Sequence, residues 1–202
     1  MRALAARGIR DVVFDLGGVL IDWDPRYLFR DRLGLEPGAV EEFLATVCTP
    51  EWHARVDAGR PFRAAAAELA ARFPDRRDWI EAYCDGWADM FAGHFDDALG
   101  VVRELQQAGF AVHALSNHPA DHVAWLYRRF PFMREFDTVV ISGLVGVTKP
   151  NRAIYEHLRA ALRQRPCVFL DDRLENVVAA RDCGIEALHV ASPGAVRALL
   201  GA

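Results

Sequence analysis

A lone carboxylate, Asp15, follows the apolar run Val12 to Phe14 and stands shortly before two glycines, Gly17 and Gly18. The run is typical of a buried strand, so the carboxylate is expected at a strand end. An ionised aspartate is costly to bury unless a cation or hydrogen-bond donors receive it. Asp15 is therefore either a positioned nucleophile or a residue that caps a turn, and other residues must distinguish the two.

Three more polar groups follow strand-like runs or the loops after them. They are Ser116-Asn117, Lys149 and Asp171-Asp172. Adjacent acids repel each other, and a divalent cation with oxygen ligands, Mg²⁺ above all, would keep both ionised. The Ser116 hydroxyl and the N–H groups that begin a predicted helix, Pro119 to Arg129, suit an anion, and Lys149 suits a phosphate oxygen and Asp15. Taken singly, each group also fits a helix cap, a helix start or a solvated turn.

The elements that would position these groups are short apolar strands that alternate with helical segments. After the first strand, the candidates are Phe110 to Leu115, Thr138 to Ile141, Cys167 to Leu170 and Glu186 to Val190. Parallel neighbours need crossover connections, so this alternation predicts an α/β fold with a doubly wound, Rossmann-like parallel sheet. Gly109 and Gly184 are expected to end the helices before two of the strands.

The segment from about Pro25 to Phe91 breaks the alternation and predicts short helices with no strand. The predicted helices are Tyr27 to Leu33, Ala39 to Val47, Phe62 to Phe73 and Trp79 to Phe91. We expect it to form a helical cap inserted after the first strand, above the strand ends where ligands bind in such sheets. The predicted division is a core of residues 1–23 and 95–202 and a cap of residues 24–94. Within the cap, Arg55, Asp57 and Arg60 are expected to be solvated surface charges.

Composition narrows the partners. The chain has 202 residues, is 52% hydrophobic and carries a formal net charge of -4, with no sustained basic run for a nucleic acid. The four scattered cysteines predict free thiols in a reducing compartment, and the histidine spacing argues against zinc. With no signal peptide or membrane span evident, we expect a cytoplasmic protein whose partner is a small molecule, not nucleic acid or membrane.

The four polar groups, in order, resemble the motifs of the haloacid dehalogenase-like hydrolase superfamily. The matching segments are Phe14 to Leu20, Leu115 to Asn117, Thr148 to Pro150, and Phe169 to Asp172 with Asn176 and Gly184 after it. The chain is most similar to bacterial sugar-phosphate phosphatases of the α-glucose-1-phosphate phosphatase type. The resemblance implies an Mg²⁺-dependent phosphatase that hydrolyses a small phosphomonoester, such as glucose 1-phosphate, through an aspartyl-phosphate.

The same resemblance implies a role for each residue. Asp15 would attack phosphorus, Ser116 and Asn117 would hold phosphoryl oxygens, and Lys149 would offset their charge. The implied Mg²⁺ ligands are Asp15, the Gly17 carbonyl, Asp171 and Asp172.

The sequence departs from the superfamily pattern at the residue that transfers a proton. Many superfamily phosphatases carry an acidic residue two positions after the nucleophile, where this chain has Gly17, which cannot transfer a proton. The sequence offers Asp22, Asp24, His118 or a metal-bound water as substitutes. Asp24 before Pro25 also fits a helix N-cap.

Two other functions remain open at this stage. A 2-haloacid dehalogenase would use Asp15 on carbon without a metal, but Asp171 and Asp172 would then repel an anionic substrate. A non-catalytic module that binds a phosphorylated ligand would account for Gly17. The sequence leaves the oligomeric state open.

Overall fold

The computed structural model describes residues 1–201. Its seven strands are β1 (Asp11–Phe14), β2 (Ile21–Trp23), β3 (Phe91–His94), β4 (Ala111–Ser116), β5 (Thr138–Ile141), β6 (Cys167–Asp171) and β7 (Glu186–His189). Its α-helices are α1 (Arg2–Ala6), α2 (Pro37–Thr46), α3 (Pro50–Asp57), α4 (Phe62–Arg72), α5 (Arg77–Asp85), α6 (Asp96–Gln107), α7 (Val123–Arg129), α8 (Ser142–Val145), α9 (Arg152–Ala161), α10 (Leu174–Asp182) and α11 (Ala195–Leu200).

Five of the strands form a parallel sheet in the order β5-β4-β1-β6-β7. This confirms the predicted doubly wound α/β fold, because helices connect the strands on both faces. Phe14 of β1 pairs with Ala114 of β4 and with Leu170 of β6. The residues just beyond these three strands therefore lie at one edge of the sheet, and the strand order reverses beside β1.

The two faces of the sheet explain the unbroken apolar runs. Val12 and Phe14 pack into one apolar cluster with α6, whereas Val13 packs into another with α9 and α10. All three side chains have no exposed surface, so a strand covered on both faces needs apolar residues at every position. Gly109 and Gly184 follow α6 and α10 with φ of 76° and 75°, the left-handed conformation expected of helix-ending glycines.

Between β2 and β3 the chain forms a helical layer with its own apolar cluster, which includes Phe29, Phe43 and Tyr83. Four α-helices, α2 to α5, make most of this layer, and Tyr27–Arg32 forms a π-helix where an ordinary helix was expected. Short 3₁₀ turns fill the joints at Pro74–Arg76 and Trp87–Met90. The layer is thus built as an insertion in the chain, with an apolar cluster of its own in which aromatic rings pack among aliphatic side chains.

The prediction that the insertion contains no strand was wrong at its end. The helix expected from Trp79 to Phe91 ends at Asp85, and Phe91 starts β3, which pairs antiparallel with β2. Trp87 and Phe91 are spaced as on a helix, but their rings meet edge-to-face at 5.7 Å across a turn and a strand. Such a short pairing depends on backbone contacts with Ile21–Trp23, which local periodicity does not report.

Two expectations from composition concern the cysteines and the membrane. All four cysteines are buried free thiols, as predicted. In the part of the chain that the structure describes, no helix combines the length and the apolarity needed to cross a membrane.

Candidate active site

Lys149 joins two of the predicted site carboxylates. Its Nζ lies 2.7 Å from Asp15 Oδ2 and 2.7 Å from Asp171 Oδ2, and it donates to the Leu115 carbonyl at 3.0 Å. The side chain is only 1% exposed. Lys149 is also the only lysine of the chain, whose other basic residues are arginines and histidines. A single compact ammonium among arginines is a sequence signal that could have singled out this position.

Asp15 is held by the backbone at the carboxyl end of β1. Its N–H donates to the Leu170 carbonyl of β6 at 2.8 Å, and its Oδ1 accepts the Leu16 N–H at 2.7 Å. The first bond extends the pairing of β1 with β6 by one residue, so the backbone of Asp15 is held in place at the end of the strand. The side chain is buried with its second oxygen towards Lys149.

Asp171 is held more completely. Its Oδ1 accepts from the Arg173 N–H at 2.8 Å and from Asn176 Nδ2 at 2.9 Å, and its Oδ2 accepts from Lys149 and, at 3.1 Å, from Asn176. Asn176 lies one turn into α10, where its amide reaches back to the end of β6. The sequence alone assigns Asn176 no role of its own, and the structure shows that it orients Asp171.

Asp172 completes a group of carboxylates. One oxygen from each of Asp15, Asp171 and Asp172 lies within 4.8 Å of the others. Burial, together with the charges of Asp171 and Asp172, raises the pKa of Asp15 to about 8 against the opposing effect of Lys149. Burial and Asp171 also raise the pKa of Asp172. Three carboxylates share one ammonium here, which fits a divalent cation with oxygen ligands.

The ion pairs decide which groups stay charged. Burial opposes ionisation of Asp171, but Lys149, the Arg173 N–H and Asn176 outweigh it and lower its pKa. Burial likewise disfavours the Lys149 ammonium, but Asp15 and Asp171 outweigh it and raise its pKa. Lys149 and Asp171 thus form a stable buried pair, whereas the raised pKa values of Asp15 and Asp172 favour their protonated forms as long as no further cation is bound.

The two glycines after Asp15 differ in their surroundings. Gly18 has φ of 73°, and a Cβ there would lie 2.4 Å from Asp172 Oδ2, so the backbone passes directly against that carboxylate. Gly17 has free space around its Cα and pairs with Ile21 through a single bridge. Only the second glycine is therefore required by close contact.

Ser116 and Asn117 lie where the sequence placed them, after the apolar part of β4. Ser116 is the buried last residue of the strand. The Asn117 side chain clasps the backbone of Lys149: its Nδ2 donates to the Lys149 carbonyl at 3.0 Å, and its Oδ1 accepts the Lys149 N–H at 2.8 Å. This clasp positions the lysine beside Asp15 and Asp171.

The candidate proton donors are occupied in different ways. Asp22 accepts from the Tyr27 hydroxyl at 2.8 Å, and Asp24 accepts the Arg26 N–H at 2.8 Å as a helix-start cap. Burial lowers the pKa of His118 to about 3, so its ring is neutral at physiological pH. The backbone N–H of His118 donates to Ser142 Oγ at 2.9 Å. The helix whose N-terminal N–H groups were expected to hold an anion begins later than predicted. A 3₁₀ turn stands at its expected start, and α7 begins only at Val123.

The buried His118 ring predicts a measurable pH dependence. Because its pKa in the folded protein lies below the ordinary value of 6.5, its stabilising effect is complete above about pH 6.5 and is lost as the pH falls towards 3. We expect the wild type to lose roughly 2 kcal/mol of unfolding free energy between about pH 8 and about pH 5, relative to His118→Gln. Urea unfolding of both proteins at each pH measures the difference, and equal pH slopes would contradict it.

The expected surface charges of the insertion divide into two kinds. Arg55 is exposed, and Arg60 pairs with Glu68. Asp57, however, is buried, so the prediction that it is a solvated charge was wrong. It ends α3 at the point where the insertion meets the sheet domain, and helical spacing alone gave no sign of that contact.

Aromatic rings fill the space between the insertion and the sheet edge. Trp87 stacks on His53 with ring centroids 5.6 Å apart and on His122 at 5.2 Å. Several buried polar atoms there have no hydrogen-bond partner within residues 1–201. They are Trp23 Nε1, Trp87 Nε1, Asp57 Oδ1, His118 Nε2 and His122 Nε2. Unpaired buried polar atoms cost free energy, and a ligand that pairs with them would recover it.

Comparison with known proteins identifies the family. A sequence model of the haloacid dehalogenase-like hydrolases matches residues 9–184, and the chain belongs to this family of hydrolases. The sesquiterpene phosphatase astK of Aspergillus oryzae is 28% identical over 191 residues, which cover 88% of each protein. The protein is thus an enzyme of the predicted superfamily.

Solved structures share the fold. A HAD family enzyme of Bacteroides thetaiotaomicron matches with a TM-score of 0.74 at 19% identity, over 95% of this chain and 98% of that chain. The same enzyme in complex with magnesium and inorganic phosphate gives 0.67 at 20% identity, over 90% and 94%. L-2-haloacid dehalogenase from Xanthobacter autotrophicus gives 0.64 at 21% identity, over 96% and 83%.

Proposed function

We propose that the protein is an Mg²⁺-dependent phosphatase that hydrolyses a small phosphomonoester through an aspartyl-phosphate on Asp15. The observation that carries the proposal is the meeting of Asp15, Asp171 and Asp172 around Lys149 at one edge of the sheet. A buried group of this kind is short of positive charge, and an Mg²⁺ ion and a phosphoryl group bring complementary charges to it. The relative named as a sesquiterpene phosphatase supports phosphate ester chemistry.

The reaction has two steps. Asp15 Oδ attacks phosphorus, the bond to the leaving oxygen breaks, and water then cleaves the aspartyl-phosphate to regenerate the carboxylate. Lys149 and the Ser116 hydroxyl face the phosphoryl oxygens and compensate their charge, while the Asn117 clasp keeps Lys149 in place. Most of the acceleration then comes from position and charge.

The residues that would hold Mg²⁺ are Asp15, Asp172, the Gly17 carbonyl and Asp171. Asp171 already accepts two hydrogen bonds on each oxygen, so we assign the more direct roles to Asp15 and Asp172. When bound, the ion supplies Lewis-acid charge at the phosphoryl oxygens.

Gly18 offers a matched pair of variants for this metal assignment. Gly18→Ala and Gly109→Ala both place a side chain at φ near +75°, but only the first puts a Cβ 2.4 Å from an Asp172 oxygen. Both should cost about 1 kcal/mol through backbone strain. We expect only Gly18→Ala to weaken Mg²⁺ binding, on the order of 10-fold or more, because Asp172 must move. The Mg²⁺-induced rise in Tm measures this, and equal rises in both variants would remove Asp172 from the metal site.

The leaving group is the less constrained part of the substrate. Sugar phosphates such as glucose 1-phosphate follow from the sequence resemblance, and a sesquiterpenyl phosphate follows from the named relative. We propose that residues 24–94 act as a cap that selects between such leaving groups, over a core of residues 1–23 and 95–202. The aromatic rings with unpaired nitrogen atoms under the insertion suit a leaving group with both an apolar face and polar groups.

The test is phosphate release by the purified protein. A panel of phosphate esters that includes glucose 1-phosphate and a sesquiterpenyl monophosphate is incubated with Mg²⁺, with EDTA, and with EDTA followed by excess Mg²⁺. We expect release that EDTA abolishes and Mg²⁺ restores. Metal-independent halide release from a 2-haloacid would instead establish a dehalogenase, and ligand binding without turnover would establish a binding module. The cytoplasmic location stays a prediction.

A further inference from the structure

Asp57 is a buried carboxylate that the proposed reaction has not used so far. It is the last residue of α3 and is 7% exposed, and its Oδ1 has no hydrogen-bond partner within residues 1–201. The basic group beside it is the His53 ring, whose Nε2 lies 3.6 Å from that oxygen. A buried carboxyl oxygen that the protein leaves unpaired costs free energy, which a ligand or a proton on the carboxyl can offset.

The backbone around Asp57 is seated on the sheet domain beside the site. The Asp57 carbonyl accepts from Ser142 Oγ at 2.6 Å, and the same hydroxyl accepts the His118 N–H at 2.9 Å. A Cβ on Gly59 would lie 2.9 Å from the Gly143 carbonyl, so the two segments are in close contact. His118 follows Ser116 by two residues, and Asp57 is thereby fixed next to the segment that faces the phosphoryl group.

Charged residues of the site influence the pKa of the Asp57 carboxyl. Burial raises the pKa of Asp57, and the positive charges of His53, Lys149 and Arg173 oppose the rise. Lys149 is the residue that contacts Asp15, and Arg173 follows Asp172. Asp57 ends a helix of the insertion, so a role in the reaction requires the leaving group to lie on the side of the site that the insertion covers.

The reaction still needs a proton donor. Gly17 has no side chain to supply one, Asp22 and Asp24 are engaged by Tyr27 and by a helix start, and His118 is neutral. An alkoxide is a poor leaving group, so a donor within reach accelerates its departure by a factor on the order of 10² to 10⁴.

We propose that Asp57 is the general acid and base of this enzyme, an assignment that rests on the proposed phosphatase function. As the bond between phosphorus and the leaving oxygen breaks, the Asp57 carboxyl gives its proton to that oxygen, and the alcohol leaves. In the second step the Asp57 carboxylate takes a proton from the water whose oxygen attacks phosphorus. The bond to Asp15 breaks, inorganic phosphate forms, and both carboxyl groups return to their starting states.

His53 acts as a positioning residue for Asp57. Its Nδ1 hydrogen-bonds with the Tyr83 hydroxyl at 3.1 Å, its ring stacks on Trp87, and its Nε2 faces Asp57. Tyr83 and Trp87 belong to the apolar cluster of the insertion. The donor would therefore arrive from the inserted layer and not from the strand that carries the nucleophile.

The experiment compares two leaving groups in Asp57→Asn, an isosteric variant that cannot transfer the proton. The substrates are hexyl phosphate, whose alkoxide needs a proton, and p-nitrophenyl phosphate, whose phenolate leaves without one. We expect the ratio of kcat/KM for hexyl phosphate to that for p-nitrophenyl phosphate to fall on the order of 10²-fold or more relative to wild type. The exposed helix-end variant Asp85→Asn is the control and should leave the ratio unchanged.

The other outcomes are decisive. An unchanged ratio, with both substrates slowed alike, would show that Asp57 serves only the fold and overturn the assignment. A wild-type series of phenyl and alkyl phosphates needs no variant to fold: kcat/KM should depend little on leaving-group basicity, and a steep dependence would overturn it too. Phosphate release from neither substrate by the wild type would instead refute the phosphatase function itself.

Discussion

Replacing Lys149 by methionine should lower the free energy of unfolding by about 3–5 kcal/mol in the absence of Mg²⁺. The ammonium contacts Asp15 and Asp171, each at 2.7 Å, with almost no access to water. Methionine fills similar space but leaves the buried Asp171 carboxylate without its counter-charge and Asp15 without its hydrogen-bond donor. Urea unfolding of the wild type and the variant gives the difference, and Arg103→Met, at an exposed cation, is the control expected to change stability by no more than about 0.5 kcal/mol.

The Lys149 variant should also show a diagnostic pH dependence. Asp15 already has a pKa raised to about 8 by burial and by its acidic neighbours, and removal of Lys149 removes the effect that opposes this rise. A group whose pKa is raised on folding stabilises fully below its unfolded value, and that stability is lost as the pH rises through its folded value. Asp15 is protonated in both folded proteins up to about pH 8, so through Asp15 the loss caused by Lys149→Met should grow only above that pH. Asp171, whose pKa Lys149 lowers, should add to the loss from about pH 4 upwards.

A second substitution isolates the cause of the Lys149 effect. Asp171→Asn in the Lys149→Met background removes the Asp171 charge that has lost its lysine partner, and we expect it to recover part of the lost stability. Asp171→Asn alone should destabilise the protein, because it breaks the ion pair of Asp171 with Lys149 and alters the hydrogen bonds that Asn176 donates to Asp171. If Lys149→Met and the double variant lost equal free energy of unfolding, Lys149 would stabilise the protein by packing and not by charge.

The sheet and its polar edge could be predicted because local signals agree with the global arrangement. The middle of a strand covered on both faces is apolar at consecutive positions, and Val12 to Phe14 show this in the sequence. Parallel strands then bring their carboxyl ends to one edge, so Asp15 and Asp171 were expected at the same edge. That they are neighbours depends on the strand order, which places β1 beside β6. The shared edge of Asp15 and of the acidic pair follows from the parallel arrangement of the strands.

Contacts between distant segments could not be predicted in this way. The sequence describes Asp57 only as a polar residue at the end of a short helix. Its burial accompanies contacts of this segment with the sheet domain, where Ser142 Oγ donates to the Asp57 carbonyl and Gly143 lies against Gly59. The Asn117 clasp on Lys149 depends in the same way on a loop 32 residues away. Periodicity describes one element at a time, whereas these contacts depend on how elements pack.

Replacing Asp15 by asparagine should lower phosphate release by on the order of 10⁴-fold or more while the fold is kept. Asparagine has nearly the same shape, and its Oδ1 can still accept the Leu16 N–H, but its amide is not a nucleophile towards phosphorus. The variant also removes one of three crowded carboxylates, so its Tm without Mg²⁺ should stay close to that of the wild type.

A covalent readout separates the nucleophile from a merely structural aspartate. Rapid acid quench of the wild type during turnover, followed by mass spectrometry of proteolytic fragments, should place a phosphoryl group on the peptide that contains Asp15. Asp15→Asn should show no adduct, and the exposed control Asp96→Asn should match the wild type in adduct and rate. Because Lys149 is held by Asn117 and Asp171 independently of Asp15, the oxyanion-binding side of the site survives the substitution, and full activity in Asp15→Asn would mean that phosphoryl transfer takes place elsewhere.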